Sequence, residues 1–177
     1  DKITPMNRLS IIKKVLDFSS KENEEDLILD LLQTTSEKDA KIFLPALKKD
    51  NDLIKRLIEK FRNIQVSILD DCMNRTAAIS SQIKPFNNVK LLGTAYTVRL
   101  QAGDNLLFYY AIDQAKPGDV IVIDGSGFTE RALCGEIMTE YAKQRGLAGF
   151  LIDGAIRDKE DIAKSNFPVY ARAVTPN

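Results

Sequence analysis

The sequence predicts an α/β fold preceded by a small all-helical segment, and three observations predict it. Two apolar runs, Val120–Ile123 and Phe150–Ile152, are short, rich in β-branched residues and bounded by Gly and Asp, as buried parallel strands are. Between them Ile137–Arg145 has helical spacing and stops at Gly146, the kind of residue that takes the first position beyond a helix. Together these make a βαβ unit. Before Asn63 the texture differs, with apolar residues at three-to-four spacing separated by polar turns rich in Ser, Glu, Lys and Asn.

Taken in order, Pro5–Phe18, Glu24–Gln33, Asp39–Lys48 and Asn51–Phe61 are expected to be amphipathic helices, with stripes such as Leu9, Ile12, Leu16 and Leu53, Leu57, Phe61. Asp39 and Asn51 are the expected caps, and Pro45 is placed to end or kink the third helix. Residues 1–63 therefore form a helical appendage, a packing or protein-docking element whose polar residues show no ligand-like spacing. Residues 64–177 form the α/β domain. There Ser67–Met73 reads as a helix, with Ser67 as N-cap and Asp70 at the third position of a capping box. Lys90–Leu92 and Ala95–Leu100 read as strands separated by the break at Gly93, and Asn105–Gln114 as a helix. Lys116-Pro117-Gly118-Asp119 is a turn into the buried strand, and Phe167–Ala171 is a further short strand.

Composition excludes several chemistries. The chain has 177 residues, enough for one domain with a real core plus an appendage. Its 25 Lys and Arg balance 25 Asp and Glu, so no global basic field drives nucleic-acid or anionic-membrane binding. Cys72 and Cys134 form no CxxC pair and are read as small core residues of a protein in a reducing compartment. No apolar segment approaches the ~20 residues needed to span a bilayer, and no leader opens the chain, so a cytoplasmic location is expected. There is no histidine, which removes Ser-His and Cys-His nucleophiles and imidazole metal ligands. Carboxylate, arginine, lysine, backbone amide, water and a hard cation remain.

In a βαβ unit the carboxyl ends of the strands form the usual ligand crevice, and here they carry Gly125–Glu136 and Gly154–Asp158. Gly125-Ser126-Gly127 begins like a dinucleotide fingerprint, but Glu130 stands where the third glycine belongs and would face pyrophosphate unfavourably. No Gly-Lys-Ser/Thr occurs. A small carboxylate is a better ligand for the helix beginning near Gly135, through backbone N–H groups and dipole. Arg157 offers a planar fork to a carboxylate or enolate oxygen, and Asp158 is a hard oxygen ligand suited to Mg²⁺. Glu136, with twenty residues between it and Arg157, comes from the neighbouring strand mouth and would orient metal-bound water, with Asp161 as a further outer carboxylate. The structural alternative is that Asp158 only caps the next helix and Arg157 pairs with a surface acid.

A resemblance becomes specific at these residues. Gly93-Thr-Ala-Tyr-Thr-Val, Gly103-Asp-Asn, Pro117-Gly-Asp-Val, Arg131-Ala-Leu-Cys-Gly-Glu, Arg145-Gly-Leu-Ala-Gly, Asp153-Gly-Ala-Ile-Arg-Asp and Phe167-Pro-Val-Tyr-Ala-Arg occur in this order. They resemble the RraA-like family, which unites 4-hydroxy-4-methyl-2-oxoglutarate aldolases with regulators of ribonuclease E activity A. The match runs from about Ile64 to Asn177. It implies a compact α/β/β domain, commonly a homotrimer or a hexamer built from two trimers, with sites between subunits. The resemblance further implies that Asp158 binds Mg²⁺ or another divalent cation such as Mn²⁺, and Arg157 the pyruvyl substrate. Gly135 would be part of the substrate site, where the amides of Ile137 and Met138 would hold the carboxylate, with Asn105 nearby. The acid is Glu136 where the aldolase pattern has Asp, and the domain is expected to lack the final segment that members carry.

The expected activity is metal-assisted retro-aldol cleavage of a 4-hydroxy-2-oxo acid, such as 4-hydroxy-4-methyl-2-oxoglutarate, releasing pyruvate. Oxaloacetate decarboxylation would leave the same pyruvate enolate and use the same residues. A Schiff-base route is disfavoured, since no Lys lies inside a predicted strand of the crevice to be desolvated. The proton shuttle is expected to be a water held by carboxylates. The competing class is a non-catalytic regulator that binds a ribonuclease E-like partner. No nucleic-acid or membrane partner is expected.

Overall fold

The computed structural model describes residues 51–73 and 75–177, which fall into two compact units, one ending at Ala78 and the other spanning Ile79–Asn177. The expected helices Pro5–Phe18, Glu24–Gln33 and Asp39–Lys48 lie outside the described residues, as do the cap at Asp39 and the break at Pro45.

In the first unit the described elements are α1 (Asn51–Phe61) and α2 (Val66–Cys72). Helix α1 forms where its apolar spacing predicts and ends at Phe61, but Asn51, the expected cap, is itself helical. Helix α2 starts one residue before the expected cap, so Ser67 lies inside it and Gln65 is the capping position, with no side-chain cap bond. The predicted capping box does not form. Asp70 instead turns its carboxylate to the chain beyond the helix, where Oδ1 accepts from the Ala77 amide at 3.1 Å. None of the α2 residues is buried, and Cys72 is exposed, which corrects its reading as a core residue.

The second unit is a mixed six-stranded sheet with helices. Its strands are β1 (Lys84–Pro85), β2 (Thr94–Arg99), β3 (Asp119–Asp124), β4 (Ala132–Cys134), β5 (Gly149–Ile156) and β6 (Val169–Val174). They lie in the order β1-β6-β5-β3-β2, with β4 pairing β5 off that path. All pairings are parallel except β1 with β6. Helices α3 (Leu106–Gln114), α4 (Glu136–Gln144) and α5 (Lys159–Lys164) connect β2 to β3, β4 to β5 and β5 to β6.

Packing follows the apolar runs. Ile121 and Ile123 of β3, Phe150 and Ile152 of β5, and Val169 and Ala171 of β6 are buried with Phe108 and Ile112 of α3. Phe150 stands edge-on between Phe108 and Phe167, with ring centroids 4.9 and 5.0 Å apart. Each such pair adds about 0.5–1.5 kcal/mol beyond the area it buries. Helix α4 ends as its glycine predicts: Gly146 takes φ +76°, its amide donates to Lys143 O, and the Leu147 amide donates to Ala142 O. These two bonds form the Schellman cap.

Three expectations are corrected. Lys90–Leu92 is not a strand; the chain is irregular until Thr94, and Leu91 reaches into the space a Cβ on Gly149 would occupy. Gly154–Ile156, expected beyond the strand Phe150–Ile152, are the last residues of β5, whose end pairs with the unanticipated strand β4 through Ala132↔Ala155 and Cys134↔Ile156. The two-residue strand β1 was also not anticipated. Both new strands are too short to carry a periodicity, so pairing partners alone define them.

Candidate active site

Strand β5 outruns its neighbour. Strand β3 pairs with it only as far as Asp124↔Asp153, and β4 takes over alongside Ala155 and Ile156. The chain leaves β5 at Arg157 directly beside the β4–α4 junction, and the Arg157 amide donates to Cys134 O at 2.9 Å. Asp158 then turns back in the left-handed region, φ 55° and ψ 42°. A non-glycine residue there costs about 1–2 kcal/mol, and Asp is among those that adopt it most readily.

That turn aims the Asp158 carboxylate at the start of α4. Oδ2 accepts from the Glu136 amide at 2.9 Å and lies 3.5 Å from Arg157 Nε. The carboxylate thus satisfies one of the open N–H groups of α4, where the helix dipole favours negative charge. It makes no side-chain cap bond to its own helix α5. The acid beside Arg157 is therefore Asp158 itself. Both side chains remain accessible, 45% and 37% exposed, so they face solvent rather than the core.

Gly135 makes this approach feasible. A Cβ built on it would run into Asp158 Oδ2 and lie 2.9 Å from both Cγ and Nε of Arg157. Beneath it, buried Thr139 donates its hydroxyl to Gly135 O at 2.9 Å, and its Oγ1 lies 3.7 Å from Cys134 Sγ. Burial pushes the Cys134 thiol up to about 12, aided by the negative charge of Asp158 and opposed by its contact with Thr139. Cys134 is a protonated packing residue and not a nucleophile. Sequence reading missed Thr139, although its place between Met138 and Ala142 on the inner face of α4 is the available signal.

Two recesses flank Arg157. A small one of about 80 Å³ is lined by Asn105, Tyr109, Gly135, Ile137, Met138 and Arg157, among others. It gathers the residues expected to hold the substrate. Asn105 is fixed by donation to Leu133 O at 3.2 Å. An open cleft of about 480 Å³ lies on the other side, lined by Arg157, Asp158, Lys159 and Glu160. Glu136 and Asp161 line a different groove, of about 460 Å³, between α4 and α5. So Glu136 meets Asp158 through its backbone amide and also lines the groove with Asp161.

The glycine turn after β3 is closed to ligands. The Ser126 amide donates to Asp124 Oδ1, the Gly127 amide to Asp153 O and the Phe128 amide to Gly125 O, all at 3.1 Å. Those donors are spent inside the turn, which gives a physical reason against phosphate binding there.

The donor set can be tested against a divalent cation. Among the described residues no three His, Cys, Asp or Glu side chains come together in a cage. Asp158 offers Oδ1, which makes no hydrogen bond among the described residues, while Oδ2 is held in place. One fixed carboxylate beside an open cleft fits a Mg²⁺-type ion that keeps most of its waters.

Comparison with known proteins decides the family. The model of the RraA-like family, described as Aldolase/RraA, matches residues 45–177. The chain belongs to the RraA-like family. A Halalkalibacterium halodurans protein provisionally named 4-hydroxy-4-methyl-2-oxoglutarate aldolase is 42% identical over 119 residues, covering 67% of this chain and 57% of its own length. A Burkholderia mallei protein with the same provisional name is 35% identical over 94 residues, 52% of this chain and 56% of its own. This chain thus spans little more than half the length of these relatives. The structure of the RNA-processing inhibitor RraA from Thermus thermophilis superposes with TM-score 0.58 at 27% identity, covering 64% of this chain and 69% of that one. The mixed α/β sheet with its helices is an RraA-like fold. Among the described residues no helix is long and apolar enough to cross a membrane.

Proposed function

We propose that this RraA-like chain carries the site of a divalent-metal-dependent lyase that cleaves 4-hydroxy-2-oxo acids, such as 4-hydroxy-4-methyl-2-oxoglutarate, to pyruvate, and that also decarboxylates oxaloacetate. The observation that carries the reading is Asp158, pinned by the Glu136 amide with one oxygen free, next to Arg157 at the mouth of the small recess. Asp158 would hold Mg²⁺ or Mn²⁺, which supplies positive charge to polarise the 2-oxo group. The backbone amides of Ile137 and Met138, in the first turn of α4, suit the substrate carboxylate, since those N–H groups have no partner within the helix. Arg157 would set its planar fork where negative charge develops as the 4-hydroxyl proton passes to a water held by carboxylates, the C3–C4 bond breaks and its electron pair passes into the pyruvate enolate. Loss of carbon dioxide from oxaloacetate leaves the same enolate and needs the same groups. A recess of about 80 Å³ suits a three-carbon pyruvyl unit, leaving the departing portion in the open cleft.

The reading includes self-association into a homotrimer or hexamer. Leu106, Leu107 and Tyr110 of α3 and Ile137 of α4 are more than half exposed, an apolar surface beside the recess that a second copy would cover. It also includes a cytoplasmic location, in keeping with two free cysteines. A second reading, a regulator that binds a ribonuclease E-like protein, draws on the likeness to the Thermus thermophilis inhibitor and on the same apolar surface. The deciding experiment is a pyruvate-release assay with 4-hydroxy-4-methyl-2-oxoglutarate and with oxaloacetate, in Mg²⁺ and in chelator. Release in Mg²⁺ that chelator abolishes is the expected result. No release from either substrate in Mg²⁺ or Mn²⁺, together with tight binding of a ribonuclease E-like protein, would replace the enzyme by the regulator.

A further inference from the structure

We infer that Gly135 is a positioning residue: its missing side chain is what lets the Asp158 carboxylate and the Arg157 guanidinium sit together at the start of α4. The inference rests on the proposed metal and substrate roles of that pair, and it concerns a residue that touches neither metal nor substrate through any side chain.

Gly135 has φ −143° and ψ −168°, an extended conformation that any residue adopts. A glycine is therefore not required by the turn, unlike Gly118 at φ +89° or Gly146 at φ +76°. What a Cβ would meet explains the glycine instead. Its nearest neighbours are Asp158 Oδ2, Arg157 Cγ and Arg157 Nε. All three are side-chain atoms of partly exposed residues that can swing into the open cleft. An alanine would thus be accommodated without disturbing the sheet, at the expense of the two side chains the site needs.

Other glycines behave differently. At Gly149 a Cβ would meet Pro168 Cγ and backbone O at 2.7 Å, and at Gly125 the Asp153 carbonyl oxygen at 2.7 Å, neither of which can move aside. Those glycines serve the fold. Gly135 serves the placement of Asp158: Glu136 can donate to Oδ2 at 2.9 Å only while the space over residue 135 is empty. Losing that bond frees the carboxylate to rotate and removes the fixed direction of its second oxygen.

The test uses the full chain and reads Mn²⁺ affinity by spin resonance, oxalate affinity by calorimetry, thermal melting, and pyruvate release. Oxalate is a planar mimic of the pyruvate enolate. Gly135→Ala is expected to melt within a degree or two of wild type, to bind Mn²⁺ and oxalate at least tenfold more weakly, and to lose turnover in kcat more than in KM. Gly118→Ala, strained but far from any side chain, is expected to lower the melting temperature and leave Mn²⁺ affinity unchanged. Because the proposed ion is held through Asp158, adding Gly135→Ala to Asp158→Asn should produce no further loss of Mn²⁺ affinity. Wild-type affinity for both probes in Gly135→Ala would overturn the inference while leaving the proposed function standing. So would a fall in melting temperature as large as that of Gly118→Ala, or additive losses of Mn²⁺ affinity in the double variant. A wild-type chain that binds neither Mn²⁺ nor oxalate would sink both the proposed function and the role given to Gly135.

Discussion

Asp158 and Glu136 meet through a carboxylate and a backbone amide, with Oδ2 2.9 Å from N. One residue follows the end of β5 and the other opens α4, twenty-two positions apart in the chain. The contact fixes one oxygen of Asp158 in the positive end of a helix dipole, while the other makes no hydrogen bond among the described residues. In the proposed metal role, a carboxylate so held would bind a cation without first losing rotational freedom.

Asp158→Asn keeps an acceptor for the Glu136 amide and a side chain that tolerates the left-handed region, but removes the charge. Stability should change by no more than the ~1 kcal/mol typical of a helix cap. Turnover should fall by roughly two or more powers of ten if the ion stabilises the developing enolate by several kcal/mol. Urea unfolding and pyruvate release on the same preparations check both; equal turnover in the two proteins would remove Asp158 from the site.

Arg157→Lys keeps a positive charge and loses the planar fork. The expected result is a drop in kcat of roughly tenfold or more with Mn²⁺ affinity nearly unchanged, because an ammonium offers no bidentate geometry to an enolate or carboxylate. A variant as active as wild type would show that only charge is needed there.

The two cysteines should separate cleanly. A thiol reagent at pH 8 should modify exposed Cys72 in the native protein and reach buried Cys134 only after unfolding. The raised pKa also sets a pH dependence. Between pH 9 and about 12 the unfolded chain releases the Cys134 proton and the folded chain keeps it. The unfolded state then binds fewer protons, so stability falls as pH rises through this window, by at most about 1.4 kcal/mol per unit from this group. Comparing wild type with Cys134→Ala across pH 8–11 isolates the effect, and parallel curves would refute it.

Gly149→Ala should destabilise the domain strongly, by roughly 3 kcal/mol or more, since φ is +148° and a Cβ would press on the Pro168 carbonyl at 2.7 Å. Denaturant melts measure this, and a change under 1 kcal/mol would contradict the close packing of β5 against the start of β6.

A chain beginning at Ile64 should retain the pyruvate-releasing activity of the full chain if residues 1–63 contribute no group to the site. A shortened chain that shows native circular dichroism but has lost all turnover would give the helical segment a part in the site.

The sequence by itself determined the elements whose residues carry their own period or punctuation. The β-branched runs of β3 and β5, helix α4 with its Gly146 cap, and helix α1 follow from local spacing that depends on no distant partner. It also placed Arg157 and Asp158 beside the Gly135 junction, because residues at the mouths of parallel strands joined by a helix are brought together by the βαβ connection. Tertiary structure alone decided the rest. Strand β4 exists because β5 runs on past β3 and needs a partner, and no three-residue run announces that. Ser67 is not a cap, since propensity at a helix start yields to where the neighbouring chain begins to turn. Only the fold shows that Glu136 lends its amide rather than its carboxylate to Asp158. Backbone direction and side-chain direction at a helix start are set by the packing of α4, and spacing along a sequence does not encode them.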